Sequence, residues 1–157
     1  GNLCQRVFSF IKKNCNNKIP HHGDLEDVDK KLLNNLQNNL PNLVKLMEKQ
    51  DLNEYIKKVI GFSFDANKYF NDLEPWAVKK SNPNRMNTIL FTITQQIKNI
   101  SILLSPIIPD SSKKIINIMN ISDEEMKLKN ILKFDLFNHN KELKDLEILF
   151  KKIENDN

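Results

Sequence analysis

Apolar residues recur every three to four positions along most of this chain, and this period limits its fold more than any other feature. Side chains three or four residues apart lie on one face of a helix, so each apolar stripe predicts one amphipathic helix. The chain has three glycines and no long run of alternating apolar and polar residues, which argues against strands. The sequence therefore predicts an all-α fold, a helical bundle.

The first two stripes predict the first two helices. Asp24 is a candidate N-cap for the second helix. The second stripe runs from 25 to 47 and crosses Pro41 without changing phase, so we interpret Pro41 as a kink or a restart between collinear segments. The apolar positions of the first helix are Leu3, Val7, Phe10 and Ile11.

Two further helices follow in the middle of the chain. Asp51 opens the third helix, which we expect to end before Pro75. A loop through 81–83 leads to the fourth helix, near 85–104. The fourth helix carries one isoleucine or leucine per turn, and we expect it to be the central buried helix.

The last third of the chain is predicted to contain shorter elements. Asp110 can cap a helix around 115–119, and Ser122 with Glu125 forms a capping-box pattern for another helix. Residues 132–157 mix apolar and charged side chains, typical of either a helix or an extended strap. We expect this C-terminal tail to pack back on the bundle.

Length and composition exclude several classes of protein. A chain of 157 residues suits one domain with a sizeable core, so 1–157 is predicted to be a single domain. The longest apolar run, 102–108, is broken by a serine and a proline, so we predict no membrane span and no signal peptide. Cys4 and Cys15 lack metal-ligand spacing and are predicted to be free thiols of a cytosolic protein.

Signatures of catalysis are missing from the sequence. It contains no glycine-rich phosphate loop, no GxSxG and no HExxH. His21 and His22 have no third ligand at a recognisable spacing, so we expect no metal site there. The acids at 123–125 are better explained as favourable charges in the first turn of a helix. We expect that this chain alone catalyses no reaction.

The positive charge of the chain is made almost entirely of lysine. The formal net charge is +4, which suits an anionic partner, and of 24 basic residues only Arg6 and Arg85 are arginine. Where lysine is the usual cation, an arginine indicates a task that lysine performs poorly. Planar, bidentate hydrogen bonding is such a task.

Three residues make a candidate binding site. Asn2 and Arg6 lie four residues apart, one helical turn, and Trp76 is the single tryptophan. An amide, a guanidinium and an indole can together hold one unstacked nucleic-acid base. Arg6 borders the apolar face, so we expect its stem to be packed and its head to be free. Taken singly, Arg6 paired with a carboxylate and Trp76 packed in the core are simpler explanations.

Several short segments occur in the order found in one known family. They are Asn2-Leu3-x-x-Arg6-Val7, Asp65-Ala66-Asn67-Lys68-Tyr69, Glu74-Pro75-Trp76, Ile102-Leu103-Leu104-Ser105-Pro106-Ile107-Ile108-Pro109 and Leu149-Phe150-Lys151-Lys152-Ile153-Glu154. With them the sequence resembles the C-terminal anticodon-binding domain of methionyl-tRNA synthetase, a class I aminoacyl-tRNA synthetase, of bacterial or organellar type. No one segment is decisive, but the ordered set is specific.

The resemblance implies a function and a parent enzyme. It implies that Asn2, Arg6 and Trp76 contact the CAU anticodon of a tRNA, with Trp76 stacking on an anticodon base. It also implies that the bundle follows the Rossmann catalytic domain of an ATP-dependent methionine-tRNA ligase. ATP belongs to that domain, and we expect no cofactor in this chain. The expected partners are tRNA and the enzyme's own catalytic domain, with no membrane and no DNA, in the cytoplasm.

The sequence also departs from the family pattern. HIGH-type and KMSKS-type signatures are absent, so we expect a fragment that begins with the anticodon domain and ends without an appended OB-type tRNA-binding module. Asn71 stands five residues before Trp76, where some relatives have an acidic residue thought to repel wrong anticodons. Two alternatives stay open: a helical protein-interaction module anchored by Arg6 and Trp76, or the equivalent bundle of another class I synthetase.

Overall fold

The computed structural model describes residues 2–107, and its regular elements there are helices. In chain order they are α1 (Asn2–Asn14), α2 (Asp27–Glu48), α3 (Leu52–Leu73), α4 (Pro75–Ser81) and α5 (Pro83–Leu104). This confirms the predicted all-α class. The helix predicted around 115–119, the helix predicted to follow the Ser122 capping box, and the tail 132–157 lie outside the described residues. None of the helices in the described part is long and apolar enough to cross a membrane.

The start of α2 differs from the prediction. Asp24 precedes the helix and does not cap it, because the N-cap residue is Glu26. The backbone N–H of Glu26 donates to the carboxylate of Asp29, 2.9 Å away, which satisfies a donor that the helix cannot use internally. Pro41 lies inside α2, which continues as one helix to Glu48, so a restart at Pro41 is wrong.

Between α3 and α5 the structure contains a helix that was not predicted from the sequence. Asp51 caps α3 as predicted, accepting from the N–H of Glu54 at 3.3 Å, and α3 ends at Leu73. Pro75 does not lead into a loop. It occupies the first position of α4, where its missing N–H costs nothing and its fixed φ suits the helix.

A single residue separates α4 from α5. Asn82 ends α4 and also caps α5, with its side-chain oxygen accepting from the N–H of Arg85 at 3.1 Å. The expected loop through 81–83 is therefore a tight connection between two helices. This connection, together with α4, holds Trp76 close to the bundle.

α5 is the central buried helix, as predicted. Almost every side chain from Met86 to Leu103 is buried, including polar ones. The hydroxyl groups of Thr92, Thr94 and Ser101 donate to carbonyl oxygens one turn earlier in the same helix. These polar groups therefore reach hydrogen-bond partners without leaving the core.

Both cysteines are free thiols, as predicted. Burial raises the pKa of Cys4 and of Cys15, although the positive charge of Lys79 partly offsets this effect at Cys15. The thiolate form, which is the reactive form, is therefore disfavoured at both positions.

A buried carboxylate joins three helices. Asp29 of α2 is fully buried and accepts two hydrogen bonds from the guanidinium of Arg85 on α5, at 2.6 and 3.0 Å. The hydroxyl of Tyr69 on α3 donates to the same carboxylate at 2.5 Å. Burial alone would raise the pKa of Asp29, but the hydrogen bonds from Arg85, Tyr69 and the Glu26 N–H outweigh it and lower that pKa. Arg85 thus makes the bidentate contact that its identity predicted.

We expect Asp29→Asn to lower the free energy of unfolding by about 3–5 kcal/mol at neutral pH, because it leaves the Arg85 charge without its buried partner. The pKa of Asp29 is lower in the folded state than in the unfolded chain. Its contribution is therefore present above a pH of about 4 and is lost as the pH falls through the folded-state pKa. Denaturant titrations from pH 7 to pH 2 measure this difference.

The exposed pair of Lys68 and Asp72 provides the control. Asp72→Asn removes an ion pair that lies in solvent, so its unfolding curve is expected to match the wild type closely. An Asp29→Asn protein as stable as the wild type at neutral pH would show that the buried cluster does not hold the bundle together.

Candidate functional site

Arg6 reaches from α1 across to the last turns of α3. Its guanidinium carbon lies 5.2 Å from the centroid of the Phe70 ring, a cation–π distance. The Nη2 group donates to Oδ1 of Asn71 at 2.5 Å, and Nη1 makes a longer hydrogen bond of 3.4 Å to Oδ1 of Asn67. The guanidinium is thus held against one aromatic ring and two amides.

Trp76 lies against the same aromatic ring. The centroids of the Trp76 and Phe70 rings are 5.5 Å apart and the planes meet at 69°, an edge-to-face arrangement. Phe70 is buried, with 2% of its surface exposed, whereas Trp76 keeps 40% exposed. Phe70 therefore supports both Arg6 and Trp76 while the indole remains available at the surface.

The structure brings together two of the three predicted site residues. Arg6 and Trp76, 70 positions apart in sequence, meet at Phe70. Asn2 is the first residue of α1, one turn before Arg6, and its side chain lies outside what the structure describes. Trp76 is 40% exposed, so the simpler explanation that it packs in the core is wrong.

The expected free head of Arg6 is wrong. Asn67 and Asn71 accept its hydrogen bonds, so the head is positioned as well as the stem. The simpler alternative, pairing with a carboxylate, is also wrong within residues 2–107, since the ion pairs found there do not include Arg6. Its hydrogen-bond partners in the described part are neutral amides, so no carboxylate there offsets its positive charge.

The sequence reading missed Asn67, Phe70 and Asn71 as parts of the site. The two asparagines lie four residues apart on α3, one turn from each other, and both precede Trp76. That spacing is a usable signal, but it does not reveal that the partner on α1 is Arg6. Only the packing of α1 against the bundle supplies that information.

The arrangement suits a planar, polar ligand with an accessible face. A guanidinium has five N–H donors, and two of those of Arg6 contact Asn71 and Asn67 in the part of the chain that the structure describes. The exposed indole next to it offers a π surface. A cleft of about 590 Å³ between α2 and α3 is lined by other residues and does not include Arg6 or Trp76.

Within the described part of the chain, no group of three or more His, Cys, Asp or Glu side chains could hold an ion. The ring of His22 stacks on Phe91, with centroids 4.2 Å apart, which gives this histidine a packing role.

Solved structures share this fold. The crystal structure of the apo form of Mycobacterium tuberculosis methionyl-tRNA synthetase matches 92% of this chain with a TM-score of 0.85 and 24% sequence identity, and this chain covers 30% of that protein. The same synthetase bound to methionyl-adenylate matches equally well, with a TM-score of 0.85. At this identity the likeness establishes the fold.

Sequence relatives point the same way. Methionine-tRNA ligase of Brucella suis is 33% identical over 132 residues, which are 84% of this chain and 26% of that ligase. Methionine-tRNA ligase of Rickettsia felis is 28% identical over 99% of this chain and 31% of its own length. The chain therefore spans about a quarter to a third of the curated relatives it matches.

A family model assigns the family. The model described as the anticodon binding domain of methionyl tRNA ligase matches residues 19–157. The chain is therefore an anticodon-binding helical domain of the aminoacyl-tRNA synthetases. Within that class it belongs to the family of methionyl-tRNA ligase anticodon-binding domains, which confirms the resemblance seen in the sequence.

Proposed function

We propose that this domain recognises the CAU anticodon of a tRNA through Asn2, Arg6 and Trp76, and thereby supports methionylation of that tRNA by a parent ligase. The observation that carries the proposal is the meeting of Arg6 and Trp76 on the buried ring of Phe70. The aromatic face stacks on a base, and the guanidinium beside it reads the edge of a base.

Cytosine fits the polar part of the site. Its N3 and O2 atoms are acceptors for a guanidinium such as that of Arg6, and its amino group is a donor for an amide oxygen such as that of Asn2. Uracil presents an N–H in place of the N3 acceptor, so this pair of side chains favours C over U.

Asn71 affects the charge of this site differently from an acidic residue. Its neutral oxygen accepts from Arg6 at 2.5 Å and leaves the arginine charge available to RNA. A carboxylate at this position would neutralise Arg6 and would also repel RNA phosphates. Repulsion of wrong anticodons by charge is therefore not part of our proposal for this chain, and selectivity comes from Arg6, Asn2 and Trp76.

The protein-interaction module is the weaker alternative. An interface anchor is buried by its protein partner, and the exposed indole beside a charged guanidinium suits such a role in principle. Membership of the anticodon-binding family favours RNA over a protein as the partner. The positioned guanidinium of Arg6, with neutral hydrogen-bond partners, also suits an RNA ligand. The same family membership favours methionyl-tRNA ligase over another class I synthetase.

The parent protein is proposed to be an ATP-dependent methionine-tRNA ligase of the cytoplasm. Its relatives in Brucella suis and Rickettsia felis are methionine-tRNA ligases three to four times the length of the matched region. ATP and the chemical step are assigned to the catalytic domain of that parent. The residues of this chain contribute tRNA binding and contact with that domain, within a single domain over 1–157.

Trp76→Ala is expected to weaken binding of a CAU anticodon stem-loop by about 1–3 kcal/mol, the range for loss of one base stacked on an aromatic ring. Stability is expected to change much less than the roughly 3–5 kcal/mol typical of a buried aromatic, because 40% of the indole is exposed. Trp76→Phe keeps a π face and is expected to recover part of the affinity. Fluorescence anisotropy of labelled RNA and thermal melting measure the two quantities.

Leu52→Ala is the matched control, since it truncates another exposed apolar side chain about 27 Å along α3 from Phe70. It is expected to bind RNA like the wild type. A Trp76→Ala protein that melts early but binds RNA normally when folded would return Trp76 to a structural role. Equal affinity for CAU and unrelated loops would contradict the proposal that the domain recognises the CAU anticodon.

Arg6→Lys keeps the positive charge but removes the planar fork that contacts Asn67 and Asn71. In the full-length ligase we expect lower aminoacylation of tRNA and nearly unchanged activation of methionine by ATP, because activation takes place in the catalytic domain. Comparing the two steps in one enzyme preparation separates the outcomes. If both steps decline together, Arg6 supports the structure rather than tRNA recognition.

A further inference from the structure

Acidic residues are distributed unevenly along the chain. Residues 1–23 contain four basic residues and no Asp or Glu, and residues 75–109 also contain four basic residues and no Asp or Glu. All 20 acidic residues lie outside these two segments. The first segment includes α1, and the second includes α4 and α5.

A hydrogen bond connects these two segments near the C-terminal ends of α1 and α4. The last turn of α1 carries Lys12 and Lys13, and the last turn of α4 carries Lys79 and Lys80. The ammonium group of Lys79 donates to Oδ1 of Asn14 at 2.5 Å, so the last turns of the two helices approach within reach of one lysine side chain. We call the four lysines the basic surface.

The lysines of the basic surface have no acidic partner within the described residues. Two exposed lysines of the described part do form ion pairs, Lys57 with Glu54 and Lys68 with Asp72. The ion pairs found within residues 2–107 include none of the four lysines of the basic surface. All four are exposed, so their charge faces solvent.

The basic surface adjoins the candidate site on both helices. Lys13 lies seven residues after Arg6, two turns further on the same face of α1 and about 10 Å away. Lys79 and Lys80 follow Trp76 by three and four residues, one turn along α4. A strand of RNA with one base on Trp76 therefore passes next to these lysines.

Lysines in the last turn of a helix also have a simpler explanation. They offset the negative end of the helix dipole, which stabilises the helix itself. That effect accounts for basic residues at each end separately. It does not account for the contact between two acid-free segments, and it predicts an effect on folding rather than on RNA.

We propose that Lys12, Lys13, Lys79 and Lys80 bind the phosphodiester backbone of the RNA whose unstacked base is held by Arg6 and Trp76. This inference rests on the proposed function and extends it to the nucleotides beside the recognised base. Phosphate contacts fix the position of the RNA and carry no sequence information directly, so the lysines contribute affinity and the Arg6 site contributes selectivity.

The test uses two double variants of the full chain, Lys12→Gln with Lys13→Gln, and Lys79→Gln with Lys80→Gln. Affinity for a CAU anticodon stem-loop is measured between 50 and 300 mM salt. The slope of log affinity against log salt is expected to become shallower by about 1 for each lysine that contacts a phosphate. The ratio of affinities for CAU and unrelated loops is expected to stay unchanged, as is the melting temperature.

Lys57→Gln with Lys58→Gln is the matched control, an exposed lysine doublet about 20 Å along α3 from Phe70. The proposal is overturned if this control reduces the slope as much as the two test variants, or if the test variants keep the wild-type slope. In both cases a loss of affinity in Trp76→Ala would leave the proposed function standing. A wild-type chain that binds no RNA would overturn the proposed function and this inference together.

Discussion

The buried carboxylate of Asp29 positions the part of α3 on which the candidate site depends. It bonds to Arg85 on α5 and to the hydroxyl of Tyr69 on α3. Tyr69 immediately precedes Phe70, the ring that supports Arg6 and Trp76, so the same turn of α3 faces the buried cluster on one side and the surface site on the other. A buried charge cluster is costly unless every member is paired, which makes its geometry well defined.

The two arginines of the chain differ in the side chains that pair with them. Arg85 forms ion pairs with two carboxylates, those of Asp29 and Glu26, which neutralise its charge within the fold. Arg6 is held by the neutral amides of Asn67 and Asn71 and by the face of Phe70. No carboxylate of the described residues pairs with it. A positioned guanidinium without such a partner, beside an exposed indole, is the feature on which we base the proposed recognition site.

Much of the fold could be predicted because it follows from local rules. The apolar period located α1, α2, α3 and α5, and the capping preference of aspartate located the start of α3 at Asp51. α4 was missed because Pro75 signals both the end of one helix and the first position of the next. The cap of α2 was misplaced at Asp24 because Glu26 acts there through reciprocal bonding with Asp29, which is less common for glutamate.

The site was only partly predictable, for a different reason. Residue type singled out Arg6 and Trp76, since a rare arginine and a single tryptophan stand out against the lysine-rich composition. Their partners Asn67 and Asn71 lie more than 60 residues from Arg6, and asparagine is abundant in this chain. Contacts between helices depend on packing, and a single sequence does not encode them in any local pattern.

The fluorescence of Trp76 tests the central claim most directly, because it is the single tryptophan and reports on the site alone. Titration with a CAU anticodon stem-loop is predicted to quench this fluorescence in a saturable manner, with the midpoint matching the affinity measured by RNA anisotropy. Arg6→Lys is predicted to move the midpoint to higher RNA concentration. RNA binding observed by anisotropy with unchanged tryptophan emission would contradict the account, since the base would then lie away from Trp76.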